Sequence, residues 1–504
     1  MLTSACSSSH LVRLRNLTTE AVERSTKRLA PLYNSKAPVA RLPAELLTKI
    51  FVYLEPVYRI DLTHVCALWR AIALDSPALL WSELPPVSNA NLGRMLLERA
   101  GASIVDIPEL RIFQGKEPVL EVVLSHMCRI RTLHIVVCNP ALVISKERDL
   151  AAIMYTAAPA LERFSISHPE ASPPAALPLD KRTLFAGFAP RLRALAFNNV
   201  VAPLKFYRAL SHPSSVHSLT MGGAKILIAM NVISDRSQLL PGLQTLNVEI
   251  LRMKESTGPV NFPPSLRRLN FHYTGTNALE GLAELLVTPE VAVLETIHVL
   301  QARTGWRRSV TETAIPGSGS PYTELAIPGS LERNCIDASL IDQAGRRRYF
   351  VGIDPRHASE ILSNNAAWSL TNLVIGTSAL VLQIFADVRF PVLQTLQWIL
   401  LADSTAFVQL VSGHGQLLAH TPALARIEIA TAASNEWSTD QVAQLLKLHD
   451  SSVQTVREVV SYGFDPDVKA LNREVPWVGD RVRVESEWSA PDSSWYTQAP
   501  LTWK

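Results

Sequence analysis

One short phrase recurs along most of this chain and limits what it can fold into. The phrase is an apolar residue, two free positions, an apolar residue, one free position and a last apolar residue, often with a proline just ahead. Clear copies are Leu161/Phe164/Ile166, Leu192/Leu195/Phe197, Leu243/Leu246/Val248 and Leu266/Leu269/Phe271, followed by Leu294/Ile297/Val299, Leu393/Leu396/Trp398 and Leu424/Ile427/Ile429. Weaker copies centre on Leu133, Leu219 and Leu373. The last apolar pair alternates like a strand with one buried face. Apolar stretches between copies, such as Leu279–Val287 and Val442–Leu448, read as helices. A strand and a helix this short bury little alone, so such units are stable only when stacked.

The central apolar positions step by 23 to 31 residues, with one gap of 76 between Ile297 and Leu373. Most steps lie at or slightly above the roughly 20–29 residues of a leucine-rich repeat, which the phrase resembles. In that family an Asn or Cys stands three positions after the last leucine. Here Pro169, Val200, Leu251 and Thr274 occupy it. The resemblance therefore implies an irregular array with no asparagine ladder. A single large α/β domain of strand–helix units would give the same alternation. The long gap has room for one more unit, with Tyr349-Phe350-Val351 as its strand, plus an insertion near 303–345. Within it, Thr311–Ser318 and Thr323–Ser330 are near copies rich in Pro and Gly, and predict a flexible loop. That loop reads either as a phosphorylatable or partner-binding segment or as a tolerated duplication. Arg346-Arg347-Arg348 reads either as an anion site or as a solvated face.

A different pattern occupies residues 41–81. Pro43 and Glu45 suit the first turn of a helix. Leu46, Leu47, Ile50, Phe51 and Leu54 then form an apolar stripe that Pro56 stops. A second helix is predicted from a cap at Asp61, with Leu62, Val65, Cys66, Trp69 and Ile72 or Ala73 on one face and Arg59, Thr63 and Arg70 off it. Ser76-Pro77 starts a last turn carrying Leu79, Leu80 and Trp81. Three helices in so few residues make a core too small to stand well alone.

Leu42-Pro43, Glu45-Leu46-Leu47, Ile50-Phe51, Leu54, Val65-Cys66, Trp69-Arg70, Ile72-Ala73 and Leu80-Trp81 together resemble an F-box, in order and spacing. The ending Ser76-Pro77-Ala78-Leu79-Leu80-Trp81 looks most like F-boxes common in mushroom-forming fungi, where Ser-Pro-x-Leu-Trp often closes the motif. The resemblance implies docking to a Skp-family adaptor, and through it to a cullin scaffold in an SCF-type ubiquitin ligase. The residues it assigns to adaptor binding are Leu42, Pro43, Glu45, Leu46, Leu47, Ile50, Phe51, Leu54, Val65, Cys66, Trp69, Ile72 and Trp81. A plain helical core would use many of the same residues.

The expected fold is α/β: a small three-helix F-box at 41–85, then an irregular leucine-rich-repeat-like solenoid over 86–475. An N-terminal arm, 1–40, precedes them, with 1–10 disordered and a basic helical stretch over Leu11–Leu29. Residues 476–504, with Trp477, Trp488, Trp495 and Trp503 and a strand-like Arg481–Glu485, form a cap or tail. Apolar residues make up 47% of the 504 and charged ones 18%, enough for a large core and too little charge for disorder. A net charge of +3 gives no general case for nucleic acid. No apolar run is long enough to span a membrane. Five scattered cysteines suggest reduced thiols. The Ser-rich, Arg-bearing start faintly resembles a transit peptide, but the cytoplasm or nucleus is the expected location. No nucleophile elbow, Walker loop, dinucleotide fingerprint or zinc-ligand spacing occurs. The chain is therefore expected to be a non-enzymatic substrate-recognition subunit that needs no cofactor or metal, with an unknown target protein held by the array. A non-ligase scaffold tethered by its F-box is the alternative.

Overall fold

The computed structural model describes residues 8–34, 36–113, 118–138, 148–168, 175–176, 184–202, 204–210, 212–229, 235–254, 261–273, 294–301, 322–327, 336–353, 369–376, 390–400, 421–431, 438–447, 455–462, 466–478 and 481–485. The chain divides into two compact units, Met1–Ser215 and Val216–Lys504.

The first unit opens with a long helix, α1 (Ser8–Asn34), so Ser8, Ser9 and His10 are helical. Four short helices follow: α2 (Ala44–Val52), α3 (Pro56–Val65), α4 (Ala67–Asp75) and α5 (Pro77–Leu80). Helix α6 (Ala90–Arg99) leads into strand β1 (Val105–Ile112), helix α7 (Pro118–Leu124), strand β2 (Ile130–Val137), helix α8 (Arg148–Tyr155) and strand β3 (Arg163–Ser167). A two-residue strand β4 (Ala175–Ala176), strand β5 (Ala194–Asn198), a second short strand β6 (Val200–Val201) and helix α9 (Leu204–Arg208) complete it. Strands β1, β2, β3 and β5 pair in that order, all parallel, and β4 pairs with β6.

The second unit holds β7 (Ser218–Ala229), β8 (Thr245–Lys254), β9 (Arg268–Tyr273), β10 (Thr296–Gln301), β11 (Tyr322–Ile327), β12 (Ile336–Asp342) and β13 (Arg347–Ile353). It continues with β14 (Asn372–Gly376), β15 (Thr395–Leu400), β16 (Arg426–Thr431), helix α10 (Thr439–Lys447), β17 (Glu458–Tyr462), helix α11 (Val468–Glu474) and β18 (Val482–Glu485). Strands β7, β8, β9 and β10 pair in sequence, as do β14 to β18, all parallel. Between those runs the order is β10-β13-β12-β11-β14.

Every central position of the recurring phrase lies in one of these strands, and neighbouring copies are in register. Leu133, Phe164 and Leu195 pair across the first unit. In the second unit Leu219, Leu246, Leu269 and Ile297 form one row, and Leu373, Leu396 and Ile427 another. All are buried. The apolar residues two positions on form a second buried row: Ile135/Ile166/Phe197, Met221/Val248/Phe271/Val299 and Ile375/Trp398/Ile429. A shift of one residue in any pair would expose a whole row, so this pattern fixes the register.

The preceding proline has a structural reason. In Ala158–Leu161, Ala189–Leu192, Leu240–Leu243, Pro263–Leu266, Phe390–Leu393 and Thr421–Leu424 the fourth residue donates its N–H to the first residue's carbonyl, at 3.0–3.4 Å. Each is a turn with Pro at its second position: Pro159, Pro190, Pro241, Pro264, Pro391 and Pro422. Proline's fixed φ suits that position, where its N–H is not needed. Val475-Pro-Trp-Val478 makes the same turn ahead of β18, with a 3.1 Å bond.

Three expectations change. Among the described residues the 76-residue gap carries three strands. Tyr349, Phe350 and Val351 do lie in a strand, β13, which runs parallel beside β10. The chain reaches it by an antiparallel detour, and Thr323–Ile327 of the second near copy is strand β11 rather than loop. The first copy, Thr311–Ser318, lies outside the described residues, as do Leu279–Val287, Trp488, Trp495 and Trp503. Strands β1 and β17 carry no clear copy of the phrase. In β1 an irregularity between Ile107 and Leu110, at Pro108, breaks the alternation.

Candidate functional site

The helices of 44–80 are four because Pro56 starts a helix as well as ending a stripe. Its φ and missing N–H suit the first turn of α3, and Glu55 ahead of it is extended. The second helix thus begins five residues before Asp61. The chain then breaks at extended Cys66, whose sulfur accepts from the Trp69 N–H at 3.5 Å and caps α4.

The earlier start changes which side faces in. Arg59, Leu62 and Thr63, at i, i+3 and i+4, are buried. The Arg59 guanidinium donates to the carbonyls of Leu54 (2.9 Å), Leu80 (3.1 Å) and Val52 (3.1 Å). It thereby ties the end of α2 to the end of α5. Burial pushes its pKa down, partly offset by Glu83; arginine still keeps its charge, and the three carbonyls replace water. Around it Leu47, Phe51, Leu62, Ile72, Ala73, Leu80 and Trp81 form the core. The Phe51 and Trp69 rings pack with centroids 5.1 Å apart, and Trp81 Nε1 donates to Ala73 O at 2.7 Å.

This small core is extended by its neighbours in the first unit. Arg99 of α6 lies 4.8 Å over the Trp81 ring and donates to Thr63 Oγ1 at 3.3 Å. Residues 82–87 run beside β1, with Leu84 N–H to Asp106 O at 3.0 Å and Val87 N–H to Glu109 O at 2.8 Å. The segment after Trp81 is therefore held along the sheet edge.

The sequence-assigned residues fall into three groups. Leu42, Pro43, Glu45, Leu46, Ile50 and Val65 are exposed. Leu54, Cys66 and Trp69 are half-buried. Leu47, Phe51, Ile72 and Trp81 are buried in the helices' own core. The single stripe expected on α2 is thus two: Leu47 and Phe51 face in, while Leu46, Ile50 and Tyr53 line the outside. Further exposed apolar side chains were not assigned from sequence: Tyr53 at 91% exposure, Leu79 at 60%, and Val57, Tyr58 and Leu68. Of the twenty-two exposed large hydrophobic side chains among the described residues, twelve lie between Val39 and Leu79. Scattered exposed apolar residues are ordinary, but a density like this in so short a segment is of the kind that marks interaction surfaces.

The sheets offer a different surface. Between the buried rows, Asn270 Nδ2 donates to Asn247 Oδ1 at 2.6 Å, and Asn247 Nδ2 to Thr220 Oγ1 at 3.0 Å. His134 contacts Pro108 O at 3.0 Å through Nδ1 and Ser167 Oγ at 2.8 Å through Nε2. Burial pushes the His134 pKa down, partly offset by the Pro108 carbonyl and by Glu109. Arg426 bonds Glu428 (2.6 Å), Glu458 (3.2 Å) and the Tyr462 hydroxyl (3.2 Å). The Arg346–Arg348 run is largely used internally. Arg346 bonds the Asp342 carboxylate at 2.7 Å within the β12–β13 turn, and Arg348 is buried against Leu294 O at 3.0 Å. Among the described residues no group of three His, Cys, Asp or Glu could hold a metal ion.

No curated protein matches the chain. Residues 39–84 match the F-box-like family, covering the helices, the buried arginine and the exposed apolar surface described above. The chain therefore carries an F-box-like domain, a protein-interaction module of the kind that generally binds Skp-type adaptors.

Proposed function

We propose that this protein is the substrate-recognition subunit of an SCF-type ubiquitin ligase. Its F-box-like domain docks a Skp-family adaptor joined to a cullin, and its strand units stack as a leucine-rich-repeat-like solenoid that holds a target protein. The observation that carries the reading is the cluster of outward apolar side chains within residues 39–84, led by Leu46, Ile50 and Val65. In contact with an adaptor each would lose its water, worth about 1.5–3 kcal/mol for a fully buried side chain. The in-register rows support the solenoid reading, since each strand's apolar residues continue those of the last. The Ser76-Pro77 and Leu80-Trp81 ending supports a domain of the mushroom-fungal type. On this reading the chain performs no chemistry itself. It raises the effective concentration of target lysines near the transferring enzyme.

The test is co-purification of the full chain with a Skp-family adaptor and cullin. Leu46→Asp with Ile50→Asp places charges on the outward stripe without touching the core. The double variant is expected to stay folded and lose the adaptor. Retention of the adaptor by that variant would overturn the docking surface. Wild type that holds adaptor but never cullin would favour a non-ligase scaffold.

A further inference from the structure

Helix α1 runs 27 residues, and its side chains from Val12 through Thr26 are exposed. A stretch of helix exposed on every side, as Val12–Thr26 is, has little to hold it in water beyond its own backbone bonds. Leu14, Thr18, Ala21, Val22, Ser25 and Leu29 fall at i, i+4, i+7, i+8, i+11 and i+15, so they share one face. Thr18 spends its hydroxyl inside the helix, on Leu14 O (3.0 Å) and Arg15 O (2.9 Å), which suits it to an apolar face. Arg15 and Arg28 flank that face on either side, while Glu20 and Glu23 lie opposite, where Arg24 pairs with Glu20 at 3.5 Å.

The charge is equally uneven. Residues 8–34 hold five basic and two acidic side chains, a net +3, which equals the net charge of all 504 residues. The rest of the chain sums to zero. A second copy laid face to face would bring +3 against +3. A nucleic acid would meet the charge but leave Leu14, Val22 and Leu29 in water. A bilayer with anionic lipids answers both features: the apolar face sinks into the interface, and the flanking arginines reach the phosphates. No described helix is long and apolar enough to cross a membrane, so α1 would lie in the interface plane. We infer that α1 is a membrane-surface helix that seats the protein on anionic bilayers.

The test is co-sedimentation of the full chain with vesicles of phosphatidylcholine alone and of phosphatidylcholine with 30% phosphatidylserine. Binding is expected to the mixed vesicles and to fall steeply with salt. Arg15→Gln with Arg28→Gln should weaken it about thirtyfold, taking about 1 kcal/mol per basic residue. Leu14→Asn, Val22→Asn and Leu29→Asn together keep the charge and should abolish it, while adaptor co-purification shows that the rest stays folded. Absence of wild-type binding, equal binding to neutral vesicles, or full binding by the asparagine variant would each overturn the inference. So would a dimer in solution that the asparagine variant converts to monomer with no vesicle binding by either.

Discussion

The F-box-like domain and the strand units use apolar residues in opposite ways. In the strands the last two apolar residues of the phrase point into rows shared with the next strand, and residues such as Asn247, Asn270 and Glu428 lie on the other side. In the helices apolar residues point both ways, and neighbours such as Leu46 and Leu47 have opposite fates. A strand unit is completed by the next unit of the same chain. The helical domain has about 46 residues; Arg99 and residues 82–87 of the same chain extend its core, yet twelve large apolar side chains stay outside.

Substitutions that should behave differently on the two sides test this contrast most sharply. Trp398→Ala in the second unit and Leu47→Ala in the helical core should each lower stability by about 2–5 kcal/mol. Leu46→Ala, one residue away, should change it by no more than about 0.5 kcal/mol. Chemical denaturation of the three variants checks this, and a large loss from Leu46→Ala would break the comparison.

A smaller effect concerns how the helical domain is held. Arg59→Met keeps an unbranched, flexible stem but leaves the carbonyls of Val52, Leu54 and Leu80 without their donor. The expected loss is about 1–3 kcal/mol, with faster amide exchange over α2 and α5. Unchanged exchange there would show that the guanidinium is not the tie between those helices.

The smallest effect is a pH dependence on the sheet side. With Nδ1–H donating to Pro108 O, Nε2 of neutral His134 accepts from the Ser167 hydroxyl. Its folded pKa lies below the ordinary value, so the unfolded chain binds the proton more readily. That contribution is complete above the unfolded pKa of about 6.5 and is lost as pH falls through it towards the folded value. Thermal unfolding at pH 7.5 and 5.5 should show a larger acid loss in wild type than in His134→Gln. Equal losses would remove His134 from the account.

Much of the strand plan was legible because its signal is local. Leu243, Leu246 and Val248 alternate within six residues, and Pro241 fixes the turn before them. Tyr349-Phe350-Val351 was recognisable as a strand for the same reason, but not its neighbours. That β12 and β11 separate β13 from β14 depends on pairings between distant segments, which no window of sequence contains. The F-box-like positions were legible as a set, from their spacing, but which of them are exposed was not.

The strands that carry the recurring phrase, and the helical domain, could therefore be located from the chain alone, because periodicity, proline and motif spacing are properties of neighbours along it. Only the packing of the helices shows that Leu46 and Ile50 face outward while Leu47 and Phe51 face in, and that Arg59, off the expected stripe, is at the centre. Which side of an amphipathic helix counts as inside is set by the elements packed against it. For α2 those elements are α4 and α5, whose positions follow from the break at Cys66 and the start at Pro77.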